Sequence, residues 1–321
     1  MKSKVEIASF CANVLVMSLT DSTKISPRIL SGKVIRDERL GQLSQRFSSI
    51  RPTPEMAILQ VGNRVDSTAY IKAKTNFAKK VGVLTRHIHL DEIISGGKIS
   101  QEKIITEIQK CNADHSIKGI IVQLPLPEHI DKEEVINSID PKKDLDGLTS
   151  VNTKLLSEND DRAIIPATAR GVMELLNYYK ISLKGKRVTV VGRSALVGRP
   201  IAQLCMNADA IVSVAHSKTV DLVKETKSAD IVIIAVGKKN LITANHVQKG
   251  QVIVDVGINR DDQVMILSES KENNIKKIVG DVDFENVSKE IGRTGAITPV
   301  PGGVGPMTVL ALFENLADIC L

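Results

Sequence analysis

The chain reads as an α/β protein of two domains, each built on a parallel sheet. Three observations predict this. Short β-branched runs alternate with helical spacings in two successive sets. A glycine-bounded turn, from Gly192 to Gly198, follows an apolar strand and opens a helix. The 321 residues, 42% of them hydrophobic, are enough for two ordinary cores. The boundaries expected are an N-terminal extension at 1–28, a three-layer α/β domain at 29–165 and a Rossmann-type NAD(P)-binding domain at 166–300. A loop and helix at 301–321 return to the first domain.

The elements follow in order. Within the extension, residues 10–19 are apolar behind Lys2 and Lys4, faintly like a secretion signal. Glu6 in the charged part and the lack of a small-residue cleavage site argue against that. Residues 35–50 have helical spacing, stopped by Pro52-Thr53-Pro54. Residues 56–61 form a buried strand. A helix is expected at 67–81, with Tyr70, Lys74, Phe77 and Val81 three or four apart. A strand at 86–90, a helix at 100–110 and a strand at 119–124 complete a βαβαβ order, hence a parallel sheet. A short helix at 132–138 precedes a loop at 141–152 that carries Asp144 and Asp146. The second set has a helix at 171–179 and strands at 187–191, 210–215, 231–236 and 252–256. Between these strands lie 220–227 and 246–249; 278–282 begins the return, and a last helix is expected at 308–319.

Composition limits the function. Aromatic residues make up 2% of the chain and Trp is absent, which argues against a base-stacking nucleic-acid module. The net charge of +6 has no long basic block behind it and suits an anionic small ligand. The four cysteines are far apart and form no CxxC pair, so neither a disulfide framework nor a zinc site is expected. His87-x-His89 places two imidazoles on one polar strand face, too few for a metal site. No apolar run is long enough to span a membrane. A cytoplasmic location is expected, with an organelle left open by the extension.

Three segments carry chemistry. The run Pro299 to Thr308 (PVPGGVGPMT) holds three prolines and three glycines before an apolar helix. Proline stiffens such a loop and glycine lets a ligand approach the backbone. Pro306 is expected as the first helical residue. Around Gly192 the run is G-x-S-x-x-x-G, a weak pattern in a good context, with a helix N-terminus placed to face a pyrophosphate. The next strand runs into His216-Ser217 with no acid for the ribose hydroxyls. Arg193 lies at the turn. This set favours NADP over NAD, because a 2′-phosphate suits arginine and hydroxyl donors. Tyr70 and Lys74 share one helical face. Such pairs are commonly surface neighbours, and the short-chain dehydrogenase pattern is excluded because there the pair follows the glycine turn. A lysine against an apolar wall can serve as an acid or base. Gln123 ends a strand just before Pro125-Leu126-Pro127. Asp144 and Asp146 are either ligands for an amino-pyrimidine edge or turn residues.

Together these segments resemble one family, methylenetetrahydrofolate dehydrogenase/methenyltetrahydrofolate cyclohydrolase. The matching pieces are Ser67-x-x-Tyr70-x-x-x-Lys74, the run from Val122 to Pro127, the run from Lys143 to Gly147, and Gly192-Arg193-Ser194 with Val197 to Pro200. His216 to Thr219, Asp255-Val256-Gly257, Gly280-Asp281-Val282 and Pro299 to Thr308 follow in order. The resemblance implies tetrahydrofolate substrates in an interdomain cleft, NADP as cofactor and usually a homodimer. It implies Lys74 as the key residue of hydrolysis, tuned by Gln123, with Tyr70 packed on the folate and Asp146 on the pterin edge. Pro301, Gly302 and Gly303 would lie along the folate. Gly192, Arg193, Ser194, His216, Ser217 and Ile258 would hold NADP. Thr168 survives in Pro166-Ala167-Thr168-Ala169, where the family often reads Pro-Cys-Thr-Pro, so its nicotinamide-side wall is expected intact.

Overall fold

The computed structural model describes residues 26–91, 98–266 and 275–321. The apolar stretch at 10–19 lies outside them. Strand β1 (Arg28–Ile29) is followed by α1 (Gly32–Ser48), capped by the Ser31 hydroxyl, which accepts from the Val34 N–H. Next come β2 (Glu55–Val61), α2 (Val65–Val81), β3 (Leu84–Leu90), α3 (Gln101–Ala113) and β4 (Ile117–Val122). The three strands form a parallel sheet in the order β3-β2-β4. Strand β2 is central and covered on both faces, which is why its sequence is a near-continuous apolar run. Met56 and Ile58 point to one core, and Ala57 and Leu59 to the other.

Helix α4 (Lys132–Asn137) is capped by the Asp131 carboxylate, which accepts from the Glu133 and Glu134 N–H groups. The loop expected at 141–152 is shorter than that, because α5 (Ser150–Ser157) begins inside it. This helix has two turns and little apolar period, so its only sequence signal is the Thr149 cap. Helix α6 (Ala167–Tyr178) leads into the second unit: β5 (Arg187–Val191), α7 (Gly198–Asn207), β6 (Ile211–Ala215), α8 (Leu222–Lys227) and β7 (Ile231–Ile234). A 3-10 turn at Ala244–His246 reaches the start of the connecting piece at 246–249. Then follow β8 (Val252–Asp255), β9 (Asn259–Ile266), β10 (Ile275–Val279), α9 (Phe284–Ile291), β11 (Ala296–Ile297) and α10 (Val304–Ile319).

The second sheet is parallel, in the order β1-β11-β8-β7-β5-β6. Arg28–Ile29, from the start of the chain, therefore forms one edge of the second unit's sheet. The return expected from 278–282 overlaps the end of β10, which pairs antiparallel with β9 as a separate ribbon. The sequence of β9, NRDDQVMI, begins with polar residues and hides its pairing. Helix α10 starts four residues earlier than expected, so Pro306 is its third residue. That position still lies in the first turn, where the missing N–H costs nothing.

Helix α10 joins the two units. Leu310, Phe313 and Leu316 share a core with Met56 of β2, Phe77 of α2 and Leu175 of α6, and the Phe77 and Phe313 rings lie 5.0 Å apart. Val304 enters the nucleotide-side core with Val190 and Ile233. A Cβ on Gly32 would collide with the Gly303 carbonyl oxygen, and one on Gly171 would meet the Met307 backbone at 2.9 Å. Beside these contacts Arg39 and Arg170 bind Glu174, Glu314 and Asp318. Burial first, and then Glu174 alongside, push the Glu314 carboxyl up to about 7.

Gly32→Ala is therefore expected to lower stability by about 1–3 kcal/mol, as overpacking of a tight contact does, measured by urea unfolding. The pH sign at Glu314 also follows. Its folded pKa lies above its unfolded value, so its contribution is present at low pH and lost as pH rises toward 7. Glu314→Gln should flatten the fall in melting temperature between the ordinary value of 4.5 and about 7.

Candidate active site

Ligands of open α/β sheets bind beyond the carboxyl ends of the strands. Here the carboxyl ends of both sheets border a cleft of ≈ 700 Å³. Tyr70 of α2 and Leu124-Pro125 after β4 form one wall, and Ile258 and Asn259 after β8 form the other. Pro301, Gly302 and Gly303, at the entrance to α10, lie between them. Gly302 has φ +107, and a Cβ on Gly303 would meet the Pro299 carbonyl at 2.5 Å, so glycine is required at both. A larger void of ≈ 900 Å³, lined by Arg162, Arg170 and Asp318 among others, contains none of the residues singled out from sequence.

The structure joins Lys74 to Gln123. The Lys74 Nζ donates to Gln123 Oε1 at 3.2 Å, and Gln123 Nε2 donates to the Leu124 carbonyl at 2.9 Å. Gln123 is buried and Lys74 half-buried. Tyr70 stands one turn before Lys74 and is 43% exposed. This set offers an amine of fixed direction beside an open apolar cleft.

The two aspartates separate. Asp144 is buried, accepts from the Thr149 N–H at 2.8 Å and from Asn152 Nδ2 at 3.1 Å, and its pKa is raised by burial. It is the turn residue. Asp146 is half-buried on the same loop and does not line the cleft directly. The two histidines, His87 and His89, stack at 5.7 Å; His87 Nε2 pairs with Gln60 Oε1 and His89 Nε2 with the Gly62 carbonyl.

The nucleotide-side residues gather at the ends of β5 and β6. Val191 pairs with Ala215, and Arg193 and Ser217 each lie two residues beyond that pair, both exposed. Gly192 has φ +119, and a Cβ there would collide with the Ala235 carbonyl. A Cβ on Gly198 would likewise strike Gly192, so the turn closes only with glycine at both ends. The Ser194 Oγ accepts from the N–H groups of Val197 and Gly198 at 3.2 and 3.4 Å, which fixes the turn before α7. His216 is half-buried, and its Nδ1 accepts from the Lys218 N–H at 3.1 Å. Thr168 meets Thr308 of α10 at 3.5 Å.

Sequence reasoning gave no role to Asp255 or Asp281, although it quoted both motifs. Asp255 lines the cleft, and burial raises its carboxyl to about 6. Asp281 is fully buried below it. An acid beside a glycine in two separate short motifs was the available signal.

Comparison with known proteins places these residues in context. The model of the tetrahydrofolate dehydrogenase/cyclohydrolase catalytic domain matches residues 30–146, and that of the NAD(P)-binding domain of the same name matches residues 166–321. The chain is 40% identical over 294 residues to the bifunctional protein FolD of Ligilactobacillus salivarius, covering 91% of this chain and 96% of that one. It is similar to the crystal structure of the bifunctional methylenetetrahydrofolate dehydrogenase/cyclohydrolase FolD of Campylobacter jejuni. There the identity is 38% and the TM-score 0.83, with 92% of this chain and 99% of that one covered. The Trypanosoma brucei enzyme, solved with NADP cofactor and inhibitor, is 32% identical at a TM-score of 0.83, covering 92% and 98%.

The two aspartates can be told apart by stability. Asp144→Ala leaves buried donors unpaired and is expected to cost about 1–3 kcal/mol. Asp146→Ala should stay within about 0.5 kcal/mol of the parent. Urea unfolding of the two variants checks both values.

Proposed function

The chain belongs to the tetrahydrofolate dehydrogenase/cyclohydrolase family, and from that premise we propose how its residues divide the work. The activity is NADP-dependent oxidation of 5,10-methylenetetrahydrofolate to the 5,10-methenyl form, then hydrolysis to 10-formyltetrahydrofolate. The single observation that carries the assignment of residues is the Lys74–Gln123 hydrogen bond beside the Tyr70 wall of the cleft.

The folate lies in the cleft with its ring on Tyr70, its length along Pro301-Gly302-Gly303 and its pterin edge toward Asp146. Loss of hydride from the methylene carbon leaves a cation delocalised over the two flanking nitrogens. Water adds at that carbon and must lose a proton, and the breaking C–N bond returns a proton to the ring nitrogen. Lys74 is the group placed to move these protons. Gln123 aims its amine, because the glutamine is itself tied to the Leu124 carbonyl.

The residues present fit NADP. The glycine pair closes a turn that presents the N-terminus of α7, with Ser194 on that turn. Arg193 and Ser217 stand exposed at neighbouring strand ends, suited to a 2′-phosphate. Gly192, His216, Ile258 and Thr168 complete the set. Bound NADP supplies the hydride acceptor. A dehydrogenase without hydrolase activity is the second reading, and retention of Lys74 with its glutamine argues against it. We further read the protein as a homodimer in the cytoplasm. Among the described residues Cys111, Cys205 and Cys320 are free thiols, which suits a reducing compartment. No helix of the described residues is long and apolar enough to cross a membrane.

The test is turnover of 5,10-methylenetetrahydrofolate with NADP and with NAD, following reduced cofactor and the methenyl absorbance together. With NADP, reduced cofactor should form with little standing methenyl. Lys74→Ala should lower hydrolysis by at least about 100-fold, as loss of a proton-transfer group does, so that methenyl accumulates. Undiminished hydrolysis in that variant would remove Lys74 from the mechanism. Arg193→Ala should raise the KM for NADP by about tenfold or more, the worth of a charge-assisted bond, and leave NAD little changed.

A further inference from the structure

Two buried carboxylates have no role in the assignment above: Asp255, at the cleft wall, and Asp281, which does not line the cleft. Asp281 accepts from the Val236, Gly237 and Lys238 N–H groups at 2.8, 2.9 and 2.8 Å, and from Asn259 Nδ2 at 2.9 Å. Asp255 accepts from the Gly257, Asp281 and Val282 N–H groups at 2.9, 3.1 and 2.9 Å. Its own N–H donates to Thr298 Oγ1 at 2.7 Å, one residue before Pro299.

The two acids interlock. A Cβ on Gly257, two residues after Asp255, would collide with the Asp281 carboxylate. A Cβ on Gly280, just before Asp281, would collide with the Asp255 carboxylate. Each acid therefore occupies the space that the other motif's glycine leaves open. Every loop so tied comes from the carboxyl end of a strand: 236–238 after β7, 256–259 after β8 and 298 after β11. Ile258 and Asn259 line the cleft, and Val236 is 45% exposed at its own strand end.

We propose that Asp255 and Asp281 are positioning residues for the redox step, a reciprocal clasp that sets the 236–238 and 256–259 loops against the nucleotide. This rests on the reading of the cleft under Proposed function. An ionised carboxylate that accepts several backbone N–H groups holds a loop more rigidly than neutral pairing does. The clasp belongs to the second unit, whereas Lys74, Gln123 and Tyr70 are carried by the first. Loosening it should therefore separate the two activities.

The test uses Asp281→Asn and Asp255→Asn in the full-length protein, with folding checked by circular dichroism and melting temperature. An amide keeps the volume but replaces one acceptor by a donor facing N–H groups. Three readouts are compared: NADPH affinity by calorimetry, dehydrogenase kcat/KM, and hydrolysis of methenyltetrahydrofolate without nucleotide. The expected result is a loss of NADPH affinity and of dehydrogenase kcat/KM, each by about tenfold, a factor equal to 1.4 kcal/mol. In Asp281→Asn, whose carboxylate does not line the cleft, hydrolysis should stay within about twofold, well under that factor. Folded variants with unchanged NADPH affinity, or with equal loss of both activities, would overturn the proposal. If Asp281→Asn does not fold, Gly257→Ala, which drives a methyl into the Asp281 carboxylate, reads the same loss of NADPH affinity and of dehydrogenase kcat/KM. Parent protein without turnover would reject the functional reading, while the NADPH affinity shift would still judge the clasp.

Discussion

Helix α10 lies closer to its neighbours than side chains would allow, and the relation of the two units depends on that approach. Gly32 meets the Gly303 carbonyl, and Gly171 meets the Met307 backbone. Dispersion and burial act here at backbone distance, so a single methyl has nowhere to go. The same helix carries Asn315, whose Nδ2 donates to the carbonyls of Leu145 and Ile165, both at 2.9 Å. One side chain thus ties the loop that bears Asp146 to the segment that leads into the second unit. The glycines that begin α10 also floor the cleft, so the contact that joins the units and the surface offered to a ligand are one piece of chain.

Electrostatics in this protein divides into two uses. Buried carboxylates with several N–H partners hold loops: Asp144 holds the turn before α5, and Asp255 and Asp281 hold the strand ends beneath the cleft. Their surroundings supply donors, so burial is tolerated. The groups placed for chemistry are instead partly open. Lys74 is half-buried and donates to Gln123, and Arg193 and Ser217 are exposed. Exposure is what leaves them free for a substrate or a phosphate.

Much of the fold was legible in the sequence. Central strands such as β2 and β5 are near-continuous apolar runs, α2 stops at Gly82, and α10 is a long apolar run behind a proline- and glycine-rich loop. What escaped has weak local signal. Helix α5 is two turns long, β1 and β11 are two residues each, and the β9–β10 ribbon begins in polar residues. Such pieces gain their stability from a neighbour distant in the chain, and no window of sequence contains both partners.

The sequence by itself determined the chemistry on offer: the amine of Lys74, the amide of Gln123, the glycine turn around Gly192 and the stiff loop before α10. Residue type and spacing carry that information because they are local properties. Only the tertiary structure decided which groups meet. It brought Gln123 within 3.2 Å of an amine 49 residues away, made Asp144 a buried cap while Asp146 stayed half-open, and interlocked Asp255 with Gly280 and Asp281 with Gly257. Those outcomes depend on how two sheets and one shared helix pack, and close packing is a property of the whole chain.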